Sequence, residues 1–334
     1  MKIAVAGAGA IGAYVGAALH RGGADVHLLA RGAHMEAMRR DGVRVLSERG
    51  DFTARPHVTA DPADIGPADV VFLGLKAYSY AGAGPLLAGL MHDTTAVVAA
   101  QNGIPWWYFH RCGGPLEGTR IEAVDPGGAV SAVIAPQRAI GCVVYCSAEI
   151  ERPGVIRHLE GTRFSIGEPD GALSDRCRRL AAAMVAGGLK CPVESELRRD
   201  IWLKLMGNAA FNPVSALTGA TMAQIARHPQ ARELVTTMME EILAIARALG
   251  AEPAVSLQRR LAGAERAGDH KTSMLADLQA GKPLELDAIL AAPIELARLA
   301  DVGVPSLTAV HAVIRLLAGQ RPPAVQTRNA APPA

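Results

Sequence analysis

KIAVAGAGAIGAYVGAALHR, residues 2–21, decides the fold. Residues 2–6 form a short apolar run that ends at Gly7, and a helical pattern of small and apolar residues runs from Gly12 to Arg21. An unbroken apolar run of this length, closed by glycine, reads as a buried parallel strand. The junction Gly7-Ala8-Gly9-Ala10-Ile11-Gly12 is G-x-G-x-x-G, placed after a strand and opening a helix, the context that gives this pattern meaning. Gly7 permits the tight turn, Gly9 lets a pyrophosphate approach backbone N–H groups, and Gly12 lets the helix pack on the strand. The helix N-terminus then favours phosphate. The bland alternative is a glycine-rich helix–strand contact without a ligand. A signal peptide also has a lysine ahead of an apolar run, but glycines at 7, 9, 12 and 16 fit a helix N-terminus better.

Outward from this unit, strands and helices alternate. Strands are expected at 25–30 (DVHLLA), 68–75 (ADVVFLGL) and 96–100 (AVVAA), and an inserted hairpin at 43–46 and 53–58. Alternation of this kind means a parallel sheet covered on both faces. Residues 113–194 are rich in glycine and proline, with strands at 139–147, 154–158 and 163–166 separated by turns, and extend the same sheet. After about residue 194 apolar residues recur at i, i+3, i+4, giving helices at 198–217, 229–249, 253–267, 272–280 and 285–301. Pro293 should break or kink the last of these just before it. The expected fold is α/β, with an N-terminal Rossmann-type doubly wound sheet over 1–194, a helical domain over 195–319 and a disordered tail over 320–334 (QRPPAVQTRNAAPPA is the Pro/Ala-rich stretch).

Bulk properties exclude several classes. The chain has 334 residues, enough for two domains, and a net charge of +2 with both signs interspersed, so neither nucleic acid nor an anionic membrane is expected as a partner. No run reaches the roughly 18 apolar residues of a membrane span. The five cysteines form no CxxC pair and no zinc-spaced cluster, so no metal is expected, and the odd count suits a reducing cytoplasm. Cys142 and Cys146 read as small core residues in a strand.

The end of the second strand bears on cofactor choice. An NAD site usually carries an acid there, and this chain has Ala30 followed by Arg31. Arginine attracts a 2′-phosphate that a carboxylate would repel, which favours NADPH/NADP+ over NADH; the alternative is a solvated charge. Two later strand ends carry polar groups, Lys76 in LKAY and Asn102 in QNG. Lys76 suits a carboxylate or the cofactor, and Asn102 the nicotinamide ribose or the substrate. Each has an ordinary alternative, a solvated lysine or an Asn-Gly turn.

A third feature lies in KLMGNAAFNP, 204–213. Residues four apart on a helix sit about 40° apart around the axis, so Lys204, Asn208 and Asn212 share one stripe. Pro213 disfavours helical geometry at Asn212 and should loosen the helix there. The stripe is either a solvated edge with a snorkelling lysine or the lining of a cleft, where amides orient a polar substrate and Lys204 supplies a proton to the oxyanion left by hydride transfer. Thr272 or Ser273 is an obvious N-cap. Glu285, between two leucines, reads as partly buried and in need of a donor.

Together, GAGAIG at 7–12, Arg31, LKAY at 75–78, QNG at 101–103, WLKLMGNAAFNP at 202–213, TSMLAD at 272–277 and LELD at 284–287 resemble the ketopantoate reductase (2-dehydropantoate 2-reductase) family. The likeness covers the chain to about residue 318. It implies an oxidoreductase with NADPH bound between a Rossmann-type and a helical domain, reducing 2-dehydropantoate to (R)-pantoate for pantothenate and coenzyme A synthesis. It implies Lys204 as general acid, with Glu285 binding substrate and holding the lysine. Asn208, Asn212 and Ser273 would bind the substrate. Asn102 would touch cofactor and substrate with Lys76 beside it, and Arg31 would meet the 2′-phosphate. The pattern departs from the family at 218–222 and 290–293, where asparagines are missing, and at the insertion PWWYFHRCGGPLEG, 105–118. The alternatives are a same-scaffold reductase of another 2-oxo acid or a sugar-acid-derived ketone, and a non-catalytic dinucleotide-binding regulator. The apolar helices at 229–249 and 284–318 supply either a homodimer interface or core.

Overall fold

A computed structural model describes residues 1–266, 268 and 271–320. Its contacts divide the chain into two compact units, Met1–Ile201 and Trp202 onward. The expected tail, 320–334, lies outside the described residues apart from Gln320, as do Ala267 at the end of an expected helix and His270.

In the first unit the order is β1 (Lys2–Ala6), α1 (Ala10–Arg21), β2 (Asp25–Leu29), α2 (Gly32–Asp41), β3 (Val43–Leu46), β4 (Phe52–Ala54), β5 (His57–Thr59), β6 (Val70–Leu73), α3 (Gly84–Ala88), β7 (Ala96–Ala99), α4 (Ala129–Val133), β8 (Ala139–Arg152), β9 (Val155–Gly167) and α5 (Asp175–Ala186). The strands form one mixed sheet in the order β4-β3-β9-β8-β7-β6-β1-β2-β5. From β5 to β8 it is parallel, and Ile3, Ala4, Val5 and Ala6 of β1 are fully buried at its centre. Each buried Ile or Val stabilises by about 1.5–3 kcal/mol, so a two-sided apolar strand holds the middle. The chain leaves β1 to one side for β2 and returns on the other as β6. That reversal is the topological switch point of a Rossmann-like sheet, where ligands bind beyond the strand ends.

Three expectations are corrected here. The stretch 53–58 is not one arm of a hairpin. Phe52–Ala54 pairs antiparallel with β3, whereas His57–Thr59 lies at the opposite edge beside β2. Pro56 separates them, and a residue without an N–H cannot continue a ladder. The expected strands within 139–166 form one long antiparallel hairpin, β8 and β9, joined through Gly154. Its internal turn signals are bulges: Gly161 has φ +69° and sits where the register shifts. Residues 175–186, read as part of a strand-rich region, form α5, capped by the Ser174 hydroxyl on the Cys177 N–H.

Helix α6 (Leu197–Thr218) carries the division between units, and the second unit continues with α7 (Met222–Arg227), α8 (Pro229–Ala248), α9 (Leu257–Arg266), α10 (Ser273–Gln279), a π turn (Asp287–Ala291), α11 (Ala292–Leu299) and α12 (Pro305–Gly319). α8 buries Val235, Met238, Met239, Ile242, Ile245 and Ala246, the i, i+3, i+4 stripe that its sequence carries, and packs against α7, α9, α11 and α12. Glu241 on the same face accepts the N–H groups of Ser306 and Leu307, 2.8 Å each, and so caps α12. At Pro293 the helix changes type rather than stopping: the π turn runs to Ala291 and passes directly into α11, whose first turn carries the proline. Pro213 does not interrupt its helix. α6 runs through it to Thr218, because Phe211, Val214 and Ala216 around it are at most 5% exposed and their burial outweighs the lost hydrogen bond.

Candidate active site

In the first unit the phosphate-type loop is built by close approach. Gly7 has φ +94°, and the N–H groups of Gly7 and Ala8 both donate to the Leu29 carbonyl at the end of β2, 3.2 and 2.8 Å. Those two amides therefore hold the loop and are turned from any ligand. The Gly9 carbonyl accepts from Ala13 to start α1, so the donors left at the helix mouth are the first-turn amides from Gly9 through Gly12. A β-carbon on Gly9 would meet nothing within 4 Å, whereas one on Gly12 would collide with the Gly7 carbonyl. The loop is open at the glycine facing a pyrophosphate and closed at the glycine facing the strand, so these residues fit the phosphates of a dinucleotide.

Arg31 is the exposed N-cap of α2, and neither α1 nor α2 has an acid in its first turn. The Arg31 side chain thus stands at the end of β2 without a competing carboxylate in that turn. Lys76 follows the end of β6 and is half-buried, and Asn102, also half-buried, follows β7. The sheet brings Gly7, Lys76 and Asn102 to the carboxyl ends of three neighbouring strands.

In the second unit, α6 carries Lys204, Asn208 and Asn212 on one stripe of an unbroken helix. Lys204 and Asn208 are half-buried, and Asn212 is 4% exposed. The Asn212 Nδ2 is buried with no hydrogen-bond partner. A buried amide donor left unmade costs about 1–3 kcal/mol, so this position is unfavourable unless a bound group accepts from it. The Thr272 hydroxyl accepts the Leu275 N–H and is the N-cap of α10, which leaves Ser273 exposed in the first turn. Glu285 is 7% exposed and lies two residues ahead of the π turn, a feature that often marks functional positions.

Two residues with structural roles were missed by motif reading. Gly74, just past β6, donates its N–H to the Ala6 carbonyl at 3.0 Å, and a β-carbon there would strike the Gly7 carbonyl and come 3.0 Å from the Gly12 Cα. Its signal was a glycine closing an apolar strand beside Lys76. His34 on α2 accepts the Gly154 N–H through Nδ1 at 3.0 Å, and burial holds it below the usual imidazole pKa. The departures from the family pattern also have places. Trp106, Trp107, Tyr108 and Phe109 of the insertion are buried, and Arg198 holds the carbonyls of Tyr108 and His110 at 2.9 Å each. At 218–222, the Ala220 carbonyl accepts from Ser215 Oγ, and Thr221 forms a capping box with Gln224. Among the described residues no group of three or more His, Cys, Asp or Glu could hold a metal, no helix is long and apolar enough to cross a membrane, and all five cysteines are free thiols.

Comparison with known proteins adds to this geometry. Residues 3–106 match the family model "Ketopantoate reductase PanE/ApbA", and residues 196–318 its C-terminal counterpart. A 2-dehydropantoate 2-reductase from Mesorhizobium japonicum is 49% identical over 96% of this chain and 99% of its own. The crystal structure of a candidate ketopantoate reductase from Ralstonia solanacearum MolK2 superposes with a TM-score of 0.89 at 38% identity, covering 96% of this chain and 98% of that one. The 2-dehydropantoate 2-reductase of Geobacter metallireducens GS-15 gives 0.82 at 31%, over 95% and 100% of the two chains.

Proposed function

The chain belongs to the ketopantoate reductase family of oxidoreductases, and on that premise we propose that it reduces 2-dehydropantoate to (R)-pantoate with NADPH, feeding pantothenate and coenzyme A synthesis in the cytoplasm. The observation that carries the reading is the α6 stripe: a lysine, an amide, and a second amide whose buried donor lacks a partner. The cofactor, when bound, supplies a hydride to the keto carbon. Lys204 stabilises the oxyanion that this creates and gives it a proton, yielding the 2-hydroxy acid. Asn208, Asn212 and Ser273 bind the substrate, and Glu285 binds it and holds Lys204. The Gly7–Gly12 loop cradles the pyrophosphate with its Gly9 to Gly12 amides, with Lys76 and Asn102 toward the reactive end and Arg31 on the 2′-phosphate. The first unit is then the NADP-binding domain, and the helical unit binds substrate.

A panel of 2-oxo acids run with NADPH and NADH tests this. Ketopantoate with NADPH is expected to give the highest kcat/KM. Arg31→Ala is expected to raise the KM for NADPH about 10–100-fold, the worth of charge-assisted hydrogen bonds, with little change for NADH. Equal loss with both cofactors removes Arg31 from phosphate binding. A much better rate on another 2-oxo acid moves the enzyme to the second reading, which Pro293 and the π turn at a family departure favour.

The proposal includes a homodimer formed through α12. Its Val313 and Leu316 are 56% and 64% exposed and share a face with the exposed Ala309 and Ala312. Such a continuous apolar strip on a soluble surface calls for a partner. Sedimentation should give the mass of two chains, with Leu316→Glu shifting it toward one; a wild-type monomer at micromolar concentration defeats this part.

A further inference from the structure

Helix α6 carries a glycine where it meets α9. A β-carbon at Gly207 would stand 2.5 Å from Arg260 Nη2, 2.9 Å from its Nε and 3.1 Å from Cζ. The guanidinium therefore lies against the backbone of α6, in space that any other residue at 207 would fill. Gly207 is buried and Arg260 half-buried. A glycine inside a helix costs about 1 kcal/mol relative to alanine, so the close approach is maintained against helix propensity. Gly207 lies three residues from Lys204, a spacing at which side-chain positions on a helix are about 5–6 Å apart. Arg260 thus sets a second cation beside the Lys204 stripe.

We propose that Arg260 is a substrate-binding residue that fixes the carboxylate of the 2-oxo acid, a role that rests on the reading of function given above. The carboxylate of such a substrate is bonded directly to the keto carbon, so its oxygens lie about 3 Å from the keto oxygen. Lys204 cannot serve both groups. Once its proton has gone to the oxyanion it is neutral, and the carboxylate needs a cation that stays charged throughout turnover. Arginine does not deprotonate in proteins, and its planar fork matches a carboxylate with two donors. Division of labour follows: Lys204 acts on the oxygen that gains the proton, and Arg260 selects acids over uncharged ketones.

The test compares ketopantoate with its uncharged lactone. Arg260→Met is expected to raise the KM for ketopantoate about 10–100-fold, to leave kcat within about threefold, and to leave the inhibition constant of the lactone unchanged. Gly207→Ala keeps the charge but pushes the guanidinium aside, and should give a smaller loss of the same acid-selective kind. It carries the test if Arg260→Met does not fold. Equal loss for acid and lactone, a loss confined to kcat, or no loss in either variant overturns the role of Arg260. A wild-type enzyme that reduces no 2-oxo acid overturns the function reading and this inference together, whereas a wild type active on ketopantoate whose variants do not discriminate overturns only the inference.

Discussion

Lys204→Ala is expected to lower kcat about 10²–10⁴-fold while NADPH still binds with near wild-type affinity, the span that a positioned general acid contributes. Hydride addition leaves a full negative charge on the former keto oxygen. An ammonium at hydrogen-bond distance stabilises that charge as it develops and then neutralises it. The helix should survive the change. Trp202, Leu205, Met206 and Ala209 around Lys204 are all at most 1% exposed and hold α6 by their own burial. Lys204→Arg separates the two contributions. It keeps the charge but gives up a proton far less readily, so it should recover part of the stabilisation and little of the turnover. Single-turnover reduction rates and a fluorescence titration of NADPH check both halves. Unchanged turnover in Lys204→Ala removes the lysine from the chemistry, and a parallel loss of NADPH binding would mean that it serves the cofactor instead.

Much of this architecture was legible because single residues forced it. Gly7, Gly9 and Gly12 after an apolar run admit one local structure, and strand, turn and helix stand there. Spacing of four put Lys204, Asn208 and Asn212 on one stripe whether or not Pro213 broke the helix. What stayed hidden depended on partners distant in sequence. The division of 52–59 between opposite sheet edges follows from which strands β2 and β3 pair with, and no local pattern encodes that. Gly161 looked like a turn because glycine with positive φ serves turns and bulges alike. The aromatic part of the insertion, Trp106 to Phe109, is core: Trp106 finds the Ile134 carbonyl at 3.0 Å and packs edge-on to Tyr80. Likewise, Gly74 and Gly207 matter only through the atoms opposite them, Gly7 in one case and Arg260 in the other.

The largest stability effect is expected at Arg176. Its guanidinium meets both oxygens of Glu168, 2.6 Å from Nε and 2.5 Å from Nη2, and also donates to the Ala139 carbonyl at 3.1 Å. Glu168 follows the end of β9, Ala139 begins β8 and Arg176 lies in the first turn of α5, so one side chain ties three elements. The Glu168 side chain is only 7% exposed. Burial alone would raise its pKa, but Arg176, Ser174 and Cys177 together hold it below the usual carboxylate value. Cys177 stays a neutral donor, since burial pushes its thiol up to about 11. Arg176→Met should therefore lower the unfolding free energy by about 3–5 kcal/mol at neutral pH, because it strands a buried carboxylate. The pH dependence has a definite sign. A depressed carboxylate pKa gives the wild type stability that is complete above the unfolded value of about 4.3 and is lost as pH falls through the folded one. In the variant, burial wins and the carboxyl prefers its proton, so the gap between the proteins should narrow on acidification toward pH 4 and below. Removing both charges, with Glu168→Leu added to Arg176→Met, should recover much of the loss, since an apolar pair avoids the desolvation of the ions. Urea unfolding of the three proteins across that pH range decides the matter. A single variant within about 1 kcal/mol of wild type, the upper end of what exposed pairs contribute, would mean that the pair behaves as a surface ion pair.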